Sequence, residues 1–240
     1  MKFIEYALTS EMLCIGERIK KGQFRPTVTT IPYSQITGAL KAAFGDKNIH
    51  AVGHFLFDND EHAFRRNHVQ ILTYSPRDRA LETSILPLYI EYLADVEGKV
   101  YIAETVDATD IFKSDKTISI YMGAFKSKGF GRCELQKGKE IGDDDQVVGE
   151  GMLNTRIPIA KVEEIKAKGD KFHKDLIDNG ATTDFLKENF GIERVKKARY
   201  GYLFEPTSET EGKYVLSLFE GSVIEGPRFL LKGDDGNGYD

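Results

Sequence analysis

A glycine-rich, basic stretch near the middle of the chain has the residue types that bind phosphate. Residues 123–132 read Gly-Ala-Phe-Lys-Ser-Lys-Gly-Phe-Gly-Arg, with three cations among three glycines. Glycines adopt positive φ and let another backbone approach closely, while lysine and arginine neutralise phosphate charge. The apolar alternation before and after this stretch, at Ile118, Ile120 and Leu135, predicts a strand on either side of a loop. On composition alone, a β-turn with solvated lysines is an equally good interpretation.

A second stretch, residues 31–45, predicts a capped helix. Ser34 has a side chain suited to the N-cap, and Gly45 stands where a left-handed C-terminal residue belongs. One apolar stripe recurs at four-residue spacing, at Ile36, Leu40 and Phe44. Gly38 destabilises the helix by roughly 1 kcal/mol relative to alanine, a cost that a close contact at this position would explain.

Together the two stretches resemble the signatures of the RAMP superfamily of CRISPR-associated proteins. In that family an early Ile-Pro-x-Ser-x-x-x-Gly-Ala-Leu helix start is followed by a loop of the type Gly-x-x-(Lys/Arg)-Ser-(Lys/Arg)-Gly-(Phe/Tyr)-Gly-(Arg/Lys). The matching positions here are Ile31, Pro32, Ser34, Gly38, Ala39 and Leu40, then Gly123, Lys126, Ser127, Lys128, Gly129, Phe130, Gly131 and Arg132. The resemblance covers roughly residues 1–137 and implies a ferredoxin-like RNA-recognition fold and a place in a crRNA-guided complex.

The resemblance also implies which residues hold the guide RNA. The cations and the serine of the glycine-rich loop would contact phosphates, aided by the amides of Gly129 and Gly131. The basic loop 18–25 and the helix start would line the same groove, and a mixed-charge segment, 58–68, has further cations that could reach phosphate. We therefore predict an RNA-binding set of Gly123, Lys126, Ser127, Lys128, Gly129, Gly131, Arg132, Ser34, Arg18, Lys20, Lys21, Arg25, Arg65 and Arg66. A solvated loop for 18–25 and an exposed hairpin for 58–68 are the alternatives.

Catalysis would have to come from histidine. A metal-independent ribonuclease uses histidine as general acid or base on the 2′-hydroxyl, as RAMP relatives that mature crRNA do, and the candidates are His50, His54 and His62. Those relatives carry the glycine-rich loop close to the C-terminus, whereas 109 residues follow Gly131 here. The aspartate with which the family's backbone-forming subunits cut target RNA has no counterpart before Ile31. We predict no catalytic residue and keep a repeat-processing endoribonuclease as the alternative.

A small-phosphate or nucleotide-binding enzyme is a further alternative. The loop spacing is neither the dinucleotide fingerprint nor a P-loop, and the sequence after Gly131 continues as a strand. Two distant cysteines, Cys14 and Cys133, predict neither a disulfide framework nor a zinc site, so we expect no metal and no cofactor.

Net charge restricts the partners only weakly. The chain of 240 residues carries −5 overall, which at first argues against nucleic acid. Residues 1–137 hold 18 Lys and Arg against 17 Asp and Glu, a net charge of +1, and residues 138–240 hold 15 against 21, a net charge of −6. Local charge decides binding because salt screens charges beyond about 8–10 Å. An acidic C-terminal part would face away from RNA or towards a partner subunit.

We therefore predict an α+β protein: a ferredoxin-like (RRM-like) RAMP domain, 1–137, and a C-terminal helix-containing extension, 138–240, with a disordered tail from about 233. The hydrophobic pattern predicts strands at 86–96 and 99–105, joined by a turn at Glu97-Gly98.

The predicted function is a non-catalytic crRNA-binding subunit of a type III CRISPR effector complex, in contact with the guide RNA backbone and its 5′ handle. The implied partners are crRNA, a backbone-forming RAMP subunit and the large subunit. No apolar run or signal peptide points to a membrane, so we expect a cytoplasmic protein.

Overall fold

The computed structural model describes residues 2–16, 23–45, 48–56, 61–76, 86–104, 112, 116–142, 148–206 and 212–233. In chain order its elements are β1 (Phe3–Leu13), β2 (Phe24–Arg25), α1 (Tyr33–Phe44), β3 (Ala51–Phe55), α2 (Glu61–His68), β4 (Val69–Tyr74), β5 (Leu88–Ala103), β6 (Thr117–Tyr121), β7 (Arg132–Ile141), β8 (Val148–Met152), β9 (Ile157–Pro158), α3 (Val162–Asp178), α4 (Asp184–Phe190), β10 (Arg194–Lys197), β11 (Tyr200–Pro206), β12 (Gly212–Leu218) and β13 (Val223–Pro227). Single 3₁₀ turns lie at Lys126–Lys128 and Arg228–Leu230.

The main sheet is built around the antiparallel pair β1 and β5, which runs from Phe3 opposite Ala103 to Leu13 opposite Leu93. β7 pairs with the other edge of β1 and β6 lies beyond it, while β3 and β4 pair with the other edge of β5. The order across this part of the sheet is therefore β7-β1-β5-β3. The last strand, β7, lies beside the first, β1, and the long strand β5 lies between β1 and β3, the strand that follows α1. This is the strand order of a ferredoxin-like unit, so the predicted α+β fold class is confirmed.

Between β5 and β6, residues 105–115 lie outside the described residues except for Phe112. Phe112 is buried, and its ring packs edge-on against Phe44 of α1, with centroids 5.2 Å apart. Its carbonyl accepts a hydrogen bond of 3.0 Å from the Tyr6 hydroxyl. The chain therefore returns to the α1 face of the sheet between β5 and β6.

The expected turn at Glu97-Gly98 is wrong, because β5 is one continuous strand. Gly98 pairs with Leu8 of β1 on one side and with Phe55 of β3 on the other. A Cβ at this position would lie 2.7 Å from the carbonyl oxygen of His54. The glycine thus permits the close approach of a neighbouring strand and does not reverse the chain.

The alternative of an exposed hairpin at 58–68 is also wrong for its described part. Residues Glu61–His68 form helix α2, which packs against β4 and β5, while residues 57–60 lie outside the described residues. Phe64 is buried and its ring stacks on Phe55 at 5.8 Å and contacts His68 at 4.8 Å. This one apolar anchor turns a polar, charged segment into a helix of the core, which composition did not indicate.

The C-terminal part covers the opposite face of the main sheet. It contains two three-stranded sheets, β10-β13-β8 and β11-β12-β9, together with α3 and α4. The Phe229 ring stacks on Tyr101 of β5 at 4.2 Å and packs edge-on against Phe3 of β1 at 4.9 Å. A division into two domains at residue 137 stays a prediction, and β7 itself continues past that point to Ile141. The predicted disordered tail lies outside the described residues from 234 onwards.

Across the described ranges, no helix has the length and apolar character needed to cross a bilayer.

The position of Gly98 gives a stability test. We expect Gly98→Ala to lower the free energy of unfolding by about 1–3 kcal/mol, because the added methyl group meets the His54 carbonyl in a packed strand pair. Urea denaturation measures the change. The adjacent exposed variant Glu97→Ala should change the free energy by no more than about 0.5 kcal/mol. If both variants changed the free energy of unfolding by the same small amount, the result would favour a turn at Glu97-Gly98.

Candidate nucleic-acid interface

A cleft of about 550 Å³ opens where the end of β1, the start of α1, the glycine-rich loop and the β11–β12 hairpin meet. We call it the first cleft. From the predicted RNA-binding set, Arg25, Ser34 and Gly123 line it. No aspartate or glutamate is among the described residues of its lining, which otherwise includes Arg156, Phe125, Tyr202, Phe204 and Tyr214. The structure thus brings together the two sequence motifs, which are about ninety residues apart in the chain.

Backbone hydrogen bonds attach the glycine-rich loop to the end of β1. The amide of Ala124 donates to the carbonyl of Cys14 at 2.8 Å, and the amide of Gly131 donates to the carbonyl of Met12 at 2.7 Å. The loop closes on itself through the Met122 amide, which donates to the Gly131 carbonyl at 2.8 Å. These bonds hold the loop against the strand that leads into the helix motif.

The glycines at the two ends of the loop are required by this attachment. Gly123 has φ 86° and Gly131 has φ 85°, a region that side chains rarely adopt. A Cβ would lie 2.4 Å from the Cys14 carbonyl oxygen at the first position and 2.2 Å from the Met122 carbonyl oxygen at the second. Both glycines therefore serve the geometry of the loop.

The expectation that the amides of Gly129 and Gly131 contact phosphate is not met. The Gly131 amide already donates to Met12, and the Gly129 amide donates to the Lys126 carbonyl at 3.1 Å. The glycines of the motif determine the shape of the loop. The side chains of Lys126 and Lys128 are the charged groups of the loop that can reach a phosphate.

Two phenylalanines fix the loop to the sheet and turn its cations outwards. Phe130 is buried, and its ring packs edge-on against Tyr92 at 5.1 Å. Phe125, in the left-handed conformation with φ 58°, packs against Tyr74 at 6.4 Å. Between them the 3₁₀ turn exposes Lys126, Ser127 and Lys128. The Lys128 ammonium lies 5.2 Å from the Tyr74 ring centroid, a cation–π distance that holds it over the sheet.

Gly129 and Arg132 lie outside the first cleft. They line a separate depression together with Glu11, Asp95, Glu97 and Glu134. The Arg132 guanidinium donates to a Glu134 carboxylate oxygen at 3.1 Å. Four carboxylates around one paired arginine disfavour a phosphate at this point.

The two arginines of α2 have different surroundings. The Arg65 guanidinium donates to Glu91 at 3.1 Å, and the same carboxylate oxygen accepts the Thr27 amide at 3.1 Å. Glu91 of β5 therefore joins Arg65 of α2 to the segment before α1. Arg66 is exposed on α2 and does not line the first cleft. Arg18, Lys20 and Lys21 lie outside the described residues.

The helix motif starts two residues earlier than its sequence indicated. Pro32 occupies the N-cap position with φ −65° and no side-chain cap, so Ser34 lies in the first turn and is not the N-cap. The Tyr33 amide instead donates to the carbonyl of Arg156 at 2.9 Å, and the Thr155 hydroxyl donates to the Ile31 carbonyl at 2.6 Å. The C-terminal part thus positions the start of α1, whose positive dipole end opens into the first cleft.

The β11–β12 hairpin forms a wall of the first cleft that sequence reasoning did not assign to the site. Tyr202 and Tyr214 are each 48 % exposed, and both line the cleft. The Tyr202 hydroxyl donates to Asp170 of α3 at 2.7 Å, which sets the direction of its ring. The aromatic composition of these strands was visible in the sequence, but their place beside the glycine-rich loop follows only from the tertiary fold.

The candidate catalytic histidines do not gather at the first cleft, since none is among the described residues of its lining. His50 Nδ1 lies 2.7 Å from the Tyr33 hydroxyl, and His50 Nε2 lies 2.9 Å from Asn48 Oδ1. His54 stacks on Tyr101 and contacts Asn154 at 3.2 Å. Burial, helped by nearby lysines, lowers the pKa of His50 and of His54 to about 4. His62 is exposed on α2.

Within the part of the chain that the structure describes, no group of three or more His, Cys, Asp or Glu side chains is arranged to hold a metal ion. Cys14 and Cys133 are buried free thiols, and burial raises the pKa of each to about 11.

Two glycines of the loop form a matched pair for testing its geometry. Gly129 and Gly131 both have positive φ, but only at Gly131 would a Cβ meet another atom within 4 Å. We expect Gly129→Ala to cost about 1–2 kcal/mol of stability from backbone strain, and Gly131→Ala to cost at least about 3 kcal/mol, since overpacking adds to that strain. Chemical denaturation compares the two, and equal losses would contradict the geometry.

The buried histidines predict a loss of stability in acid. Their pKa of about 4 in the folded state lies below the usual 6.5, so the unfolded chain binds more protons as the pH falls below about 6.5. The free energy of unfolding should therefore fall by on the order of 2 kcal/mol per histidine between pH 7 and pH 5. Urea denaturation at both pH values measures it. His50→Gln and His54→Gln should each reduce the difference, and an unchanged difference in both variants would contradict the assignment.

No protein-family model and no curated protein matches the chain. Among solved structures, the chain is similar to a chain of the type III-B Cmr-beta complex bound to cognate target RNA and AMPPnP, with 10% identity, a TM-score of 0.49, and coverage of 94% of this chain and 86% of that one. It is also similar to a chain of a CRISPR RNA-guided surveillance complex, with 13% identity, a TM-score of 0.47, and coverage of 96% and 93%.

Proposed function

We propose that this chain is a non-catalytic RNA-binding subunit of a type III CRISPR ribonucleoprotein. In this proposal it holds the guide RNA by its backbone and by its 5′ repeat-derived handle. The observation that carries the proposal is the first cleft, where Ser34 of one motif and Gly123 of the other lie in the same lining. Two short motifs that resemble one family, and that fold to the two sides of one groove, support a shared ligand.

The chemistry of the first cleft suits a nucleic-acid strand. Lys126 and Lys128 are displayed on the loop beside it, Arg25 lies in its lining, and the start of α1 adds a positive dipole. The exposed rings of Tyr202 and Tyr214 offer faces on which unpaired bases stack, as in other single-strand binders. Cations for the backbone and aromatic faces for the bases are the two contributions that such binding requires.

The negative net charge does not oppose this proposal. The described lining of the first cleft has no carboxylate, although the chain as a whole carries −5. Because exposed charges farther than about 8–10 Å are screened, the lining and the loop determine the field that a phosphate meets. The excess of acid in residues 138–240 is then available for contact with protein partners, for which we propose a backbone-forming RAMP subunit and the large subunit.

The alternative of a repeat-processing endoribonuclease has no comparable support. It requires a general acid or base beside the bound RNA, and no histidine is among the described residues of the first cleft. The same experiment that tests binding also tests this alternative, because cleavage products appear in it directly.

The test uses labelled repeat-containing RNA and purified protein in EDTA at about 50 mM and 200 mM salt. We expect salt-dependent binding without cleavage. Lys126→Ala/Lys128→Ala should weaken binding and reduce the slope of log K against log salt by about 1.4, since each phosphate contact on a single strand contributes about 0.7. The control Lys171→Ala/Lys187→Ala removes two exposed helical lysines away from the cleft and should bind like the wild type.

The aromatic wall is tested in the same assay. Tyr202→Ala should lose about 1–3 kcal/mol of binding free energy with an unchanged salt slope, because stacking involves no ion release. Tyr202→Phe keeps the ring and should bind more tightly than Tyr202→Ala, and Tyr121→Ala, which removes a ring 52 % exposed on β6, serves as the control.

Three results would overturn the proposal. The first is the absence of RNA binding both by the chain and by the complex co-purified with it. The second is an equal effect of the loop variant and its lysine control. The third is cleavage at one site in the repeat, which would make the protein a processing nuclease.

A further inference from the structure

A second cleft, of about 720 Å³, lies along α1 on the side that faces the C-terminal part. Gly38 and Lys41 of α1 line it from one side, and Lys161, Glu163 and Glu205 line it from the other. The proposed function makes no use of this cleft. Its lining also contains a position of the helix motif that does not line the first cleft.

That position is Gly38, a helical glycine for which the described residues supply no packing reason. No described atom outside its own helix turn and its chain neighbours lies within 4 Å of the place where a Cβ would stand. Gly123 and Gly131 differ in this respect, since a Cβ there would collide with a carbonyl oxygen. Glycine weakens a helix interior, so a position that could hold alanine without a clash indicates close approach by something that is not part of the chain.

The second cleft adjoins the first at Ser34. Ser34 lines both clefts, and it lies four residues, about one helical turn, before Gly38 on the same face of α1. A strand that leaves the first cleft past Ser34 therefore meets the backbone of α1 at Gly38 next.

The charges of the second cleft suit a whole nucleotide better than a phosphate alone. Lys41 and Lys161 offer two cations to a phosphate, whereas Glu163 and Glu205 offer acceptors to the amino groups on base edges. His50, which also lines the cleft, is occupied by its contacts with Tyr33 and Asn48. A lining with equal numbers of lysines and glutamates would not attract a bare polyanion.

We infer that the RNA strand held in the first cleft continues past Ser34 into the second cleft, where one nucleotide lies against the α1 backbone at Gly38. Its phosphate contacts Lys41 and Lys161, and its base contacts the carboxyl groups of Glu163 and Glu205. This inference rests on the proposed function, because it extends the path of the same RNA.

The test exploits the opposite effects that Gly38→Ala should have on folding and on binding. The variant should raise Tm by about 2–4 °C, because alanine favours the helix and no described atom opposes its methyl group. The same methyl group should raise the Kd for labelled repeat RNA at least about fivefold, since it occupies the space of the nucleotide. Gly38→Gln should weaken binding further and shorten, at one end, the segment of RNA protected from chemical probing.

Two controls separate this inference from the proposed function. Ala43→Gln adds the same side chain on the exposed face of α1 and should leave the Kd and the protected segment unchanged. Lys126→Ala/Lys128→Ala should weaken binding whether or not RNA enters the second cleft.

The inference would be overturned, and the proposed function would stand, if Gly38→Ala left the Kd unchanged while Lys126→Ala/Lys128→Ala raised it. A lower Tm in Gly38→Ala would also overturn it, since the chain itself would then require the glycine. Absence of RNA binding by the wild type, both as the isolated chain and in the complex co-purified with it, would refute both.

Discussion

The candidate site depends on the backbone hydrogen bonds that join the glycine-rich loop to the end of β1. The amides of Ala124 and Gly131 donate to Cys14 and Met12, at the point where β1 leads towards the helix motif. These bonds require two backbones to approach closely, and only glycine allows that approach at Gly123 and Gly131. The loop therefore has a fixed place at the mouth of the first cleft, and Phe125 and Phe130 hold it there while its lysines remain in solvent.

The other wall of the cleft comes from the C-terminal part, which also sets the position of α1. The bonds from Tyr33 to Arg156 and from Thr155 to Ile31 join the helix start to the segment between β8 and β9. Arg156 is itself held by two hydrogen bonds to Glu220, of 2.7 and 2.8 Å, and its guanidinium stacks on Phe219 at 4.2 Å. A substitution that frees this arginine would move the helix start as well as the hairpin wall, so both sides of the cleft depend on the same contact.

Local patterns predicted the elements whose cause is local. The apolar stripe of α1 and the strand–loop–strand around the glycine-rich motif follow from periodicity and turn chemistry, and the structure has both. The failures have distant causes. Gly98 looks like a turn residue, but the reason for it is the His54 carbonyl of a neighbouring strand. Likewise, the polar segment Glu61–His68 is a helix that packs on the core because Phe64 is buried. Tyr202 lines the first cleft only because tertiary packing places β11 there.

The electrostatics of the site follow from where the nearby carboxylates find their partners. Glu91 is paired with Arg65 at 3.1 Å and Glu220 with Arg156 at 2.7 Å, both in partly buried surroundings where an ion pair is screened less than at the surface. These glutamates therefore add little negative potential to the first cleft, and the arginines that hold them add little positive potential. The unopposed charge near the cleft is then that of the exposed loop lysines and of the α1 dipole. A protein with an acidic total charge can in this way present a basic groove, because arginines neutralise Glu91 and Glu220 close to it.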